Sequence, residues 1–243
     1  MNSMNKKCRI DFIYLLCTVL ILCSIVFSLI IRFSYTSMDK YIITAGKDVV
    51  YSCAAMDEAL INKSDELRFD NVDLIVLCKF TGLRQPQHDV SLSQIKIDKV
   101  YKGDPEYAGT EVYVYEPLNY IYKQNIFSTL GEGYVPMTEG REYILLIDKK
   151  VFPPEKKLNE EETKLFLLHN LSDRLFSFSK FMLSEDGCLI ADDSVMEYNY
   201  NEIKNYEVIV STEEIRKSFY LIKQKIINLY GIGSEVPLSD YYQ

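Results

Sequence analysis

The stretch DVSLSQIKIDKVY, Asp89–Tyr101, predicts the architecture of the largest part of the chain. Its apolar residues alternate but change phase twice, near Ser93–Gln94 and again near Asp98–Lys99. Because strand side chains alternate between the two faces of a sheet, each change of phase indicates a bulge or a sharp bend. A single long strand bent in this way is typical of the wall of a small β-barrel. Two short strands with an irregular join are the alternative.

Segments on both sides of this stretch carry strand patterns of their own. Leu74–Phe80 (LIVLCKF) and Glu142–Asp148 (EYILLID) are apolar on both faces, as expected for strands that are covered on both sides. Thr110–Glu116 (TEVYVYE) alternates, and YKGD at Tyr101–Asp104 supplies turn residues before it. Leu118–Gly140, which contains three glycines, predicts a surface loop.

The last third of the chain begins with short apolar segments. Leu165–His169 fits either a strand or a helix that begins near Asn159. Arg174–Leu183 and Cys188–Ala191 flank a turn and predict a hairpin. Glu207–Val210 is predicted as a last short strand.

Two amphipathic segments predict helices. In Lys47–Ile61, apolar residues recur every three or four positions, which is the spacing of one helix face. Ser211 and Glu214 form an S-x-x-E capping box before a second segment, which ends at Gly231. The second segment has an apolar stripe that predicts packing against the barrel: Ile215, Phe219, Ile222, Ile226 and Leu229.

The order of four motifs resembles that of a known group of proteins. DLIVLCKF (Asp73–Phe80) is followed by VYKGD (Val100–Asp104), EVYVYEP (Glu111–Pro117) and EGREYILLID (Glu139–Asp148). This order is similar to that of uncharacterised membrane-anchored extracytoplasmic proteins of Gram-positive bacteria. It is also similar to the netrin-type module, an OB-like β-barrel that tissue inhibitors of metalloproteinases use. The resemblance covers Asp73–Lys150, about a third of the chain, and implies an OB-like barrel.

Two departures limit what the resemblance implies for function. The inhibitors bind the zinc of their target with a free N-terminal cysteine, and this chain has no such residue because its N-terminus is expected across a membrane. Lys79 and Phe80 stand where the bacterial pattern usually has a glycine. Protease inhibition by that route is therefore not expected.

An apolar run near the N-terminus predicts a membrane anchor. Phe12–Ile31 (FIYLLCTVLILCSIVFSLII) has no charge, proline or glycine. At about 1.5 Å per residue, a helix of this length spans about 30 Å, roughly one bilayer core. Lys6, Lys7 and Arg9 precede it, which predicts a cytoplasmic N-terminus and an outer remainder. A cleaved signal peptide is the alternative, although its apolar region is usually shorter and ends at a small-x-small site.

Together these patterns predict an α+β protein. It would have an N-terminal transmembrane helix, a small OB-like antiparallel β-barrel and a C-terminal amphipathic helix packed on the barrel. The expected divisions are a cytoplasmic N-terminus, a transmembrane signal-anchor, a stalk, an extracytoplasmic domain and a tail, at 1–11, 12–31, 32–46, 47–231 and 232–243.

Charge and composition exclude several classes of function. Of the 27 basic and 35 acidic residues, four basic and one acidic lie within residues 1–32. The remainder therefore carries a net charge of −11, which disfavours nucleic acid as a partner because its phosphates would be repelled. The only histidines are His88 and His169, and there is no CxxC pair, so a zinc site is not expected. No cofactor is predicted.

The cysteines exclude a disulfide-dense scaffold. Cys53, Cys78 and Cys188 follow the apolar run, and they are odd in number and irregularly spaced. A Cys53–Cys78 bridge and unpaired buried thiols both remain open.

Four tyrosines are the candidate ligand-binding residues: Tyr113, Tyr115, Tyr120 and Tyr122. Tyr113 and Tyr115 share one face of a predicted strand, and the other two follow just beyond it. If exposed, such a row could stack on sugars or line a peptide groove. If buried, the tyrosines belong to the barrel wall, and burial of at least two is favoured.

Four carboxylates surround the predicted hairpin: Glu185, Asp186, Asp192 and Asp193. Calcium prefers several oxygen ligands that converge on one point, so these residues are candidate calcium ligands. The D-x-D-x-D-G spacing is missing, and an ordinary solvated hairpin is the alternative.

These observations favour a single-pass, membrane-anchored binding or interaction module at the surface of a Gram-positive bacterium, and not an enzyme. Its partners would be the lipid bilayer, through residues 12–31, and a cell-surface protein, peptide or glycan. The alternatives are an envelope hydrolase that uses the carboxylates of residues 185–193 and a structural subunit of a membrane complex.

Overall fold

The computed structural model describes most of the chain from residue 50 onward. The described residues are 15–28, 50–63, 69–87, 90–121, 126–129, 132–153, 157, 159–169, 176–183, 187–192 and 197–232. They form a mixed α+β structure made mostly of strands, which confirms the predicted class. The predicted cytoplasmic segment and stalk lie outside the described residues, as does the predicted tail except for the buried Ile232.

Residues 15–28, inside the predicted anchor, are helical, and all their side chains are exposed. The Ser24 hydroxyl donates to the Leu20 carbonyl at 2.8 Å, so this polar side chain is satisfied within the helix. Among the residues that the structure describes, none of the helices is long and apolar enough to cross a membrane.

The described residues after the apolar run contain twelve strands and three α-helices. The strands are β1 Val50–Ser52, β2 Leu74–Gln87, β3 Val90–Lys102, β4 Glu111–Glu116, β5 Leu118–Ile121, β6 Ile126–Thr129, β7 Glu142–Lys149, β8 Leu165–Leu168, β9 Lys180–Met182, β10 Cys188–Ile190, β11 Glu197–Asn199 and β12 Val208–Val210. The helices are α1 Glu58–Lys63, α2 Tyr200–Ile203 and α3 Glu213–Tyr230.

Five strands pair in a closed circuit. The order is β2-β3-β4-β8-β7, and β7 also pairs with β2. All of these pairs are antiparallel except β4–β8, which is parallel. Short β9 pairs with the first half of β7. Two smaller sheets, β11-β1-β6-β5 and β10-β12, complete the structure.

β3 is one strand of 13 residues, which confirms the single-strand interpretation. Leu77 pairs with Lys99 and Cys78 pairs with Ile97, so Asp98 is an extra residue that lies opposite no residue of β2. This bulge confirms the predicted bend near Asp98–Lys99. The bulge or bend predicted near Ser93–Gln94 is not found in β3, whose side chains keep alternating between the two faces there. The irregularity opposite Gln94 lies in β2, at residues 81–83.

The apolar core lies on both sides of the closed circuit. Its inward side chains form one cluster, which includes Val76, Cys78, Ile95, Ile97, Val112, Val114, Leu145, Ile147, Phe166 and Leu168. The opposite faces of β2 and β7 carry Ile75, Ile144 and Leu146, and these belong to a second cluster with Phe219 of α3. Two covered faces explain why both strands are apolar throughout.

Helix α3 packs on this second cluster as predicted, with one exception. Leu229 of the predicted stripe is 56% exposed. The helix begins after Thr212, whose hydroxyl accepts from the Ile215 N–H at 3.3 Å, so the predicted cap at Ser211 is wrong by one residue. Gly231 ends the helix in the left-handed region at φ 59°, as predicted.

Three other predictions are wrong. The helix predicted at Lys47–Ile61 contains β1, held between β6 and β11, and only its end is helical. The loop predicted at Leu118–Gly140 contains the antiparallel pair β5–β6. The predicted hairpin does not form, because β9 pairs with β7 and β10 pairs in parallel with β12. Leu165–Leu168 is a strand, which was one of the two alternatives.

Candidate ligand-binding face

The outward side chains of β3, β4 and β8 form a partly exposed surface, called here the tyrosine face. In one row, Leu92 pairs with Tyr115, which pairs with Leu167. In the next row, Gln94 pairs with Tyr113, which pairs with Leu165. The tyrosine face consists of these six residues, and all are partly buried.

The alternation of EVYVYE in β4 creates this face. Val112, Val114 and Glu116 are fully buried inside the closed circuit, so Tyr113 and Tyr115 point outward. Two tyrosines at adjacent outward positions place their side chains next to each other on the same side of one strand. The prediction that these two share a face is confirmed.

Polar groups fix the orientation of both tyrosines. The Gln94 side-chain amide donates to the Tyr113 hydroxyl at 3.3 Å and to Glu111 at 3.2 Å. Thr81 donates to the Gln94 amide oxygen at 2.9 Å. The Lys150 ammonium donates to the Tyr115 hydroxyl at 2.8 Å. The face therefore carries donors, acceptors and one charge of each sign beside its two aromatic rings.

The other two candidate tyrosines do not extend this face. Tyr120 lies on β5, in a different sheet, and its ring packs against Phe127 with centroids 4.7 Å apart. Tyr122 lies outside the described residues. Tyr113, Tyr115 and Tyr120 are partly buried, and none is fully buried.

Directly behind the tyrosine face, the closed circuit encloses an ion pair. The guanidinium of Arg84 and the carboxylate of Glu116 are 2.9 Å apart, and both side chains are 0% exposed. Ser93 and Tyr134 donate hydroxyl hydrogen bonds to Glu116, and the Met137 N–H donates to it at 3.0 Å. This carboxylate has hydrogen-bond partners on both oxygens.

The environment of Glu116 keeps it ionised. Burial alone would raise the pKa of this carboxyl group. The charge of Arg84 and the hydrogen bonds from Ser93, Met137 and Tyr134 outweigh that effect, so the pKa of Glu116 lies below its usual value. The network joins β2, β3 and β4, and it holds the two strands that carry the tyrosine face.

Sequence reasoning missed this network. Ser91 and Ser93 occupy buried, inward positions of β3, where a bulge or bend near Ser93–Gln94 was predicted. Ser91 donates to the Leu118 carbonyl at 2.7 Å, and Ser93 accepts from Arg84 at 3.0 Å. Two small hydroxyl residues, two positions apart on one face of the strand, were the sequence signal for a buried polar partner.

A second buried ionic cluster lies where the closed circuit meets α3. Glu207, just before β12, accepts from the Lys223 ammonium of α3 at 2.7 Å and from the Met182 N–H of β9 at 2.7 Å. Lys180 of β9 lies beside them and donates to the Glu207 backbone carbonyl at 3.1 Å. The three ionisable side chains are almost fully buried.

His169 contacts a carboxylate at the edge of the core. Its Nδ1 lies 2.7 Å from a carboxylate oxygen of Asp148. The Ser179 hydroxyl donates to the His169 backbone carbonyl and not to the imidazole, so these three residues do not form a Ser-His-Asp relay. His88 lies outside the described residues.

The predicted calcium ligands are mostly outside the described part of the chain. Asp192 is exposed, whereas Glu185, Asp186 and Asp193 lie outside the described residues. Within the described ranges, no three His, Cys, Asp or Glu side chains are placed to hold a metal ion.

Among the residues that the structure describes, the three cysteines after the apolar run form no disulfide. Cys53 and Cys78 are buried and Cys188 is partly buried. Burial raises the pKa of Cys53 and of Cys188 to about 12 and raises that of Cys78 as well. These thiols are therefore protonated and poorly nucleophilic near neutral pH.

Neither of two comparisons with known proteins assigns the chain to a family. None of the models of known protein families matches the chain, and a search of curated proteins finds no relative.

Proposed function

We propose that the protein is a membrane-anchored binding module whose OB-like barrel presents the tyrosine face to a glycan outside the cytoplasm. The observation that carries the proposal is the pair of adjacent, partly exposed tyrosines on β4, flanked by hydrogen-bonding groups. Aromatic rings beside donors and acceptors suit a ligand with apolar ring faces and many hydroxyl groups.

The OB-like barrel is supported by the strand pairings. Five strands pair in a closed circuit, and β4–β8 is its only parallel pair. In OB-folds, the second and third strands form a surface that binds oligonucleotides and oligosaccharides. β3 and β4 are the second and third strands of the circuit in chain order, and they carry most of the tyrosine face.

The membrane anchor is supported by the apolar run at residues 12–31 and by the exposed side chains of helical residues 15–28. The basic residues before the run support a cytoplasmic N-terminus. Protease added to intact spheroplasts should remove the outer domain. Digestion that requires lysis would contradict this orientation.

A glycan is favoured over a peptide or a nucleic acid. β3, β4 and β8 each pair with a strand on both edges, so a peptide cannot join them through backbone hydrogen bonds. The net charge of −11 after residue 32 disfavours a polyanion. A neutral oligosaccharide needs neither a free strand edge nor a basic surface.

Binding by the full-length protein in detergent micelles tests the proposal. The probes are neutral hexasaccharides of glucose and of N-acetylglucosamine, together with an unstructured peptide of similar length. Tyr113→Ala combined with Tyr115→Ala should weaken glycan binding at least tenfold, a loss of about 1.4 kcal/mol. The matched control is Tyr230→Ala, at the end of α3, which should leave binding unchanged.

Two outcomes would contradict the glycan assignment. One is binding of the peptide probe alone. The other is glycan binding that survives the double substitution, because the tyrosine face would then not be the site.

A further inference from the structure

We propose that Lys180 is a buried proton-binding group that makes the junction between the closed circuit and α3 sensitive to pH. The junction consists of Lys180 on β9, Glu207 before β12 and Lys223 on α3, with the rings of Tyr134 and Tyr143 beside Lys180. The proposal goes beyond ligand binding and does not depend on it.

The ammonium of Lys180 is buried without an anionic partner of its own. The residue is 2% exposed, and no carboxylate of the described residues lies within salt-bridge distance of it. Its hydrogen bond goes to a neutral acceptor, the Glu207 backbone carbonyl. The centroids of the Tyr134 and Tyr143 rings are 5.2 and 5.3 Å from Nζ. Ring faces stabilise a cation less than a carboxylate does.

Glu207, the carboxylate with the stronger effect on Lys180, is already paired with another cation. Glu207 accepts from Lys223 through one oxygen and from the Met182 N–H through the other. Glu116, the other buried carboxylate that acts on Lys180, is paired with Arg84. Arg84, Lys223 and protonated Lys180 are thus three buried cations beside only two carboxylates. The proton on Lys180 adds a positive charge that no carboxylate balances.

The direction of the effect follows from this arrangement. Burial lowers the pKa of Lys180 to about 8. The positive charges of Lys223 and Arg84 also lower this pKa, and the negative charges of Glu207 and Glu116 oppose the lowering only in part. The unfolded chain binds this proton more tightly than the folded protein does, so stability rises with pH from about 8 toward the pKa of an ordinary lysine. Below pH 8 the folded protein carries the full cost of the buried charge.

Denaturation of the full-length protein in detergent micelles at several pH values tests the proposal. The folding equilibrium constant should rise about tenfold between pH 7 and pH 9 in the wild-type protein relative to Lys180→Met. The comparison with the variant removes the opposite effect of the buried thiols. The matched control is Lys225→Met, an exposed lysine of α3, which should keep the whole pH-dependent rise.

A second measurement covers the case in which Lys180→Met does not fold. In wild-type protein with ¹³C-labelled lysine, one side-chain signal should titrate near pH 8, well before the exposed lysines. An equal rise in wild type and Lys180→Met would overturn the proposal. Titration of every lysine signal together with the exposed ones would overturn it as well.

Discussion

Glu116 and Glu207, two buried carboxylates of the described residues, are compensated in different ways. Glu116 has one cation, Arg84, and three further donors, so charges and hydrogen bonds are balanced inside the closed circuit. Glu207 has one paired cation, Lys223, and a second cation, Lys180, beside it. The first cluster is electrically neutral, whereas the second carries an excess positive charge when Lys180 is protonated.

This difference assigns different roles to the two clusters. A buried pair whose hydrogen bonds are all made gives strands one relative position, and its loss leaves an isolated charge. A cluster with one excess cation has two accessible protonation states near neutral pH. The closed circuit is therefore expected to be rigid over the physiological pH range, while its junction with α3 is expected to vary.

The largest effect should come from removing the cation of the balanced cluster. Arg84→Met leaves Glu116 buried without a counter-charge and should lower the free energy of unfolding by about 3–5 kcal/mol. The contribution of the ion pair is present above the ordinary carboxyl pKa and is lost as pH falls through the lower folded-state pKa. Denaturant titration at pH 7 and at acidic pH measures both effects.

Arg84→Met combined with Glu116→Gln supplies the control. The double variant removes the stranded charge and should recover part of the lost stability at pH 7. If the single and double variants are equally unstable, the loss arises from packing and not from an unpaired charge.

The sequence predicts the positions of the long strands better than it predicts the polar side chains that those strands bury. Apolar runs such as Leu74–Phe80 identify β2 and β7, because a strand that is covered on both faces is apolar at consecutive positions. The inward Ser91 and Ser93 interrupt the apolar pattern of β3. The partners of Ser93, Arg84 and Glu116, are 9 and 23 residues away, and Ser91 donates to the Leu118 carbonyl, 27 residues away. Buried polar pairs are distant in sequence, so periodicity alone does not reveal them.

Short strands were the other source of error. β1 and β10 contain three residues each, too few for a helix or strand period to be distinguished. Their structure is set by neighbours from distant segments, such as β6 and β11 beside β1. The candidate site was predicted in part, because Tyr113 and Tyr115 share a strand whereas Tyr120 follows Pro117 into another sheet.

A smaller effect is expected when the cation of the second cluster is removed. Lys223→Met deprives Glu207 of its paired ammonium, but the carboxylate keeps the Met182 N–H and has Lys180 beside it. The free energy of unfolding should fall by about 1–3 kcal/mol at pH 7. Since Lys180 then becomes the main counter-charge, its pKa should rise and the pH dependence near pH 8 should weaken.

Denaturant titrations of Lys223→Met at pH 7 and pH 9 measure both quantities. A loss as large as that of Arg84→Met would mean that Lys180 does not compensate Glu207. The distinction between a neutral cluster and one with an excess cation would then fail.

The smallest effect should come from removing one hydroxyl group of the balanced cluster. Ser93→Ala removes a hydrogen bond to Glu116 but leaves Arg84 in place, so the loss should be about 1 kcal/mol at pH 7. The pKa of Glu116 should rise, and the loss should shrink as pH falls through that pKa, because a protonated carboxyl no longer benefits from the hydroxyl donor.

Ser91→Ala is the matched control, since Ser91 lies on the same face of β3 but donates to the Leu118 carbonyl, which does not titrate. Its loss should be similar at pH 7 and should not change with pH. Denaturation of both variants from pH 7 to pH 3 separates the two cases. Parallel curves would show that Ser93 contributes only packing and that Glu116 is held in its charged form by Arg84 and the remaining donors.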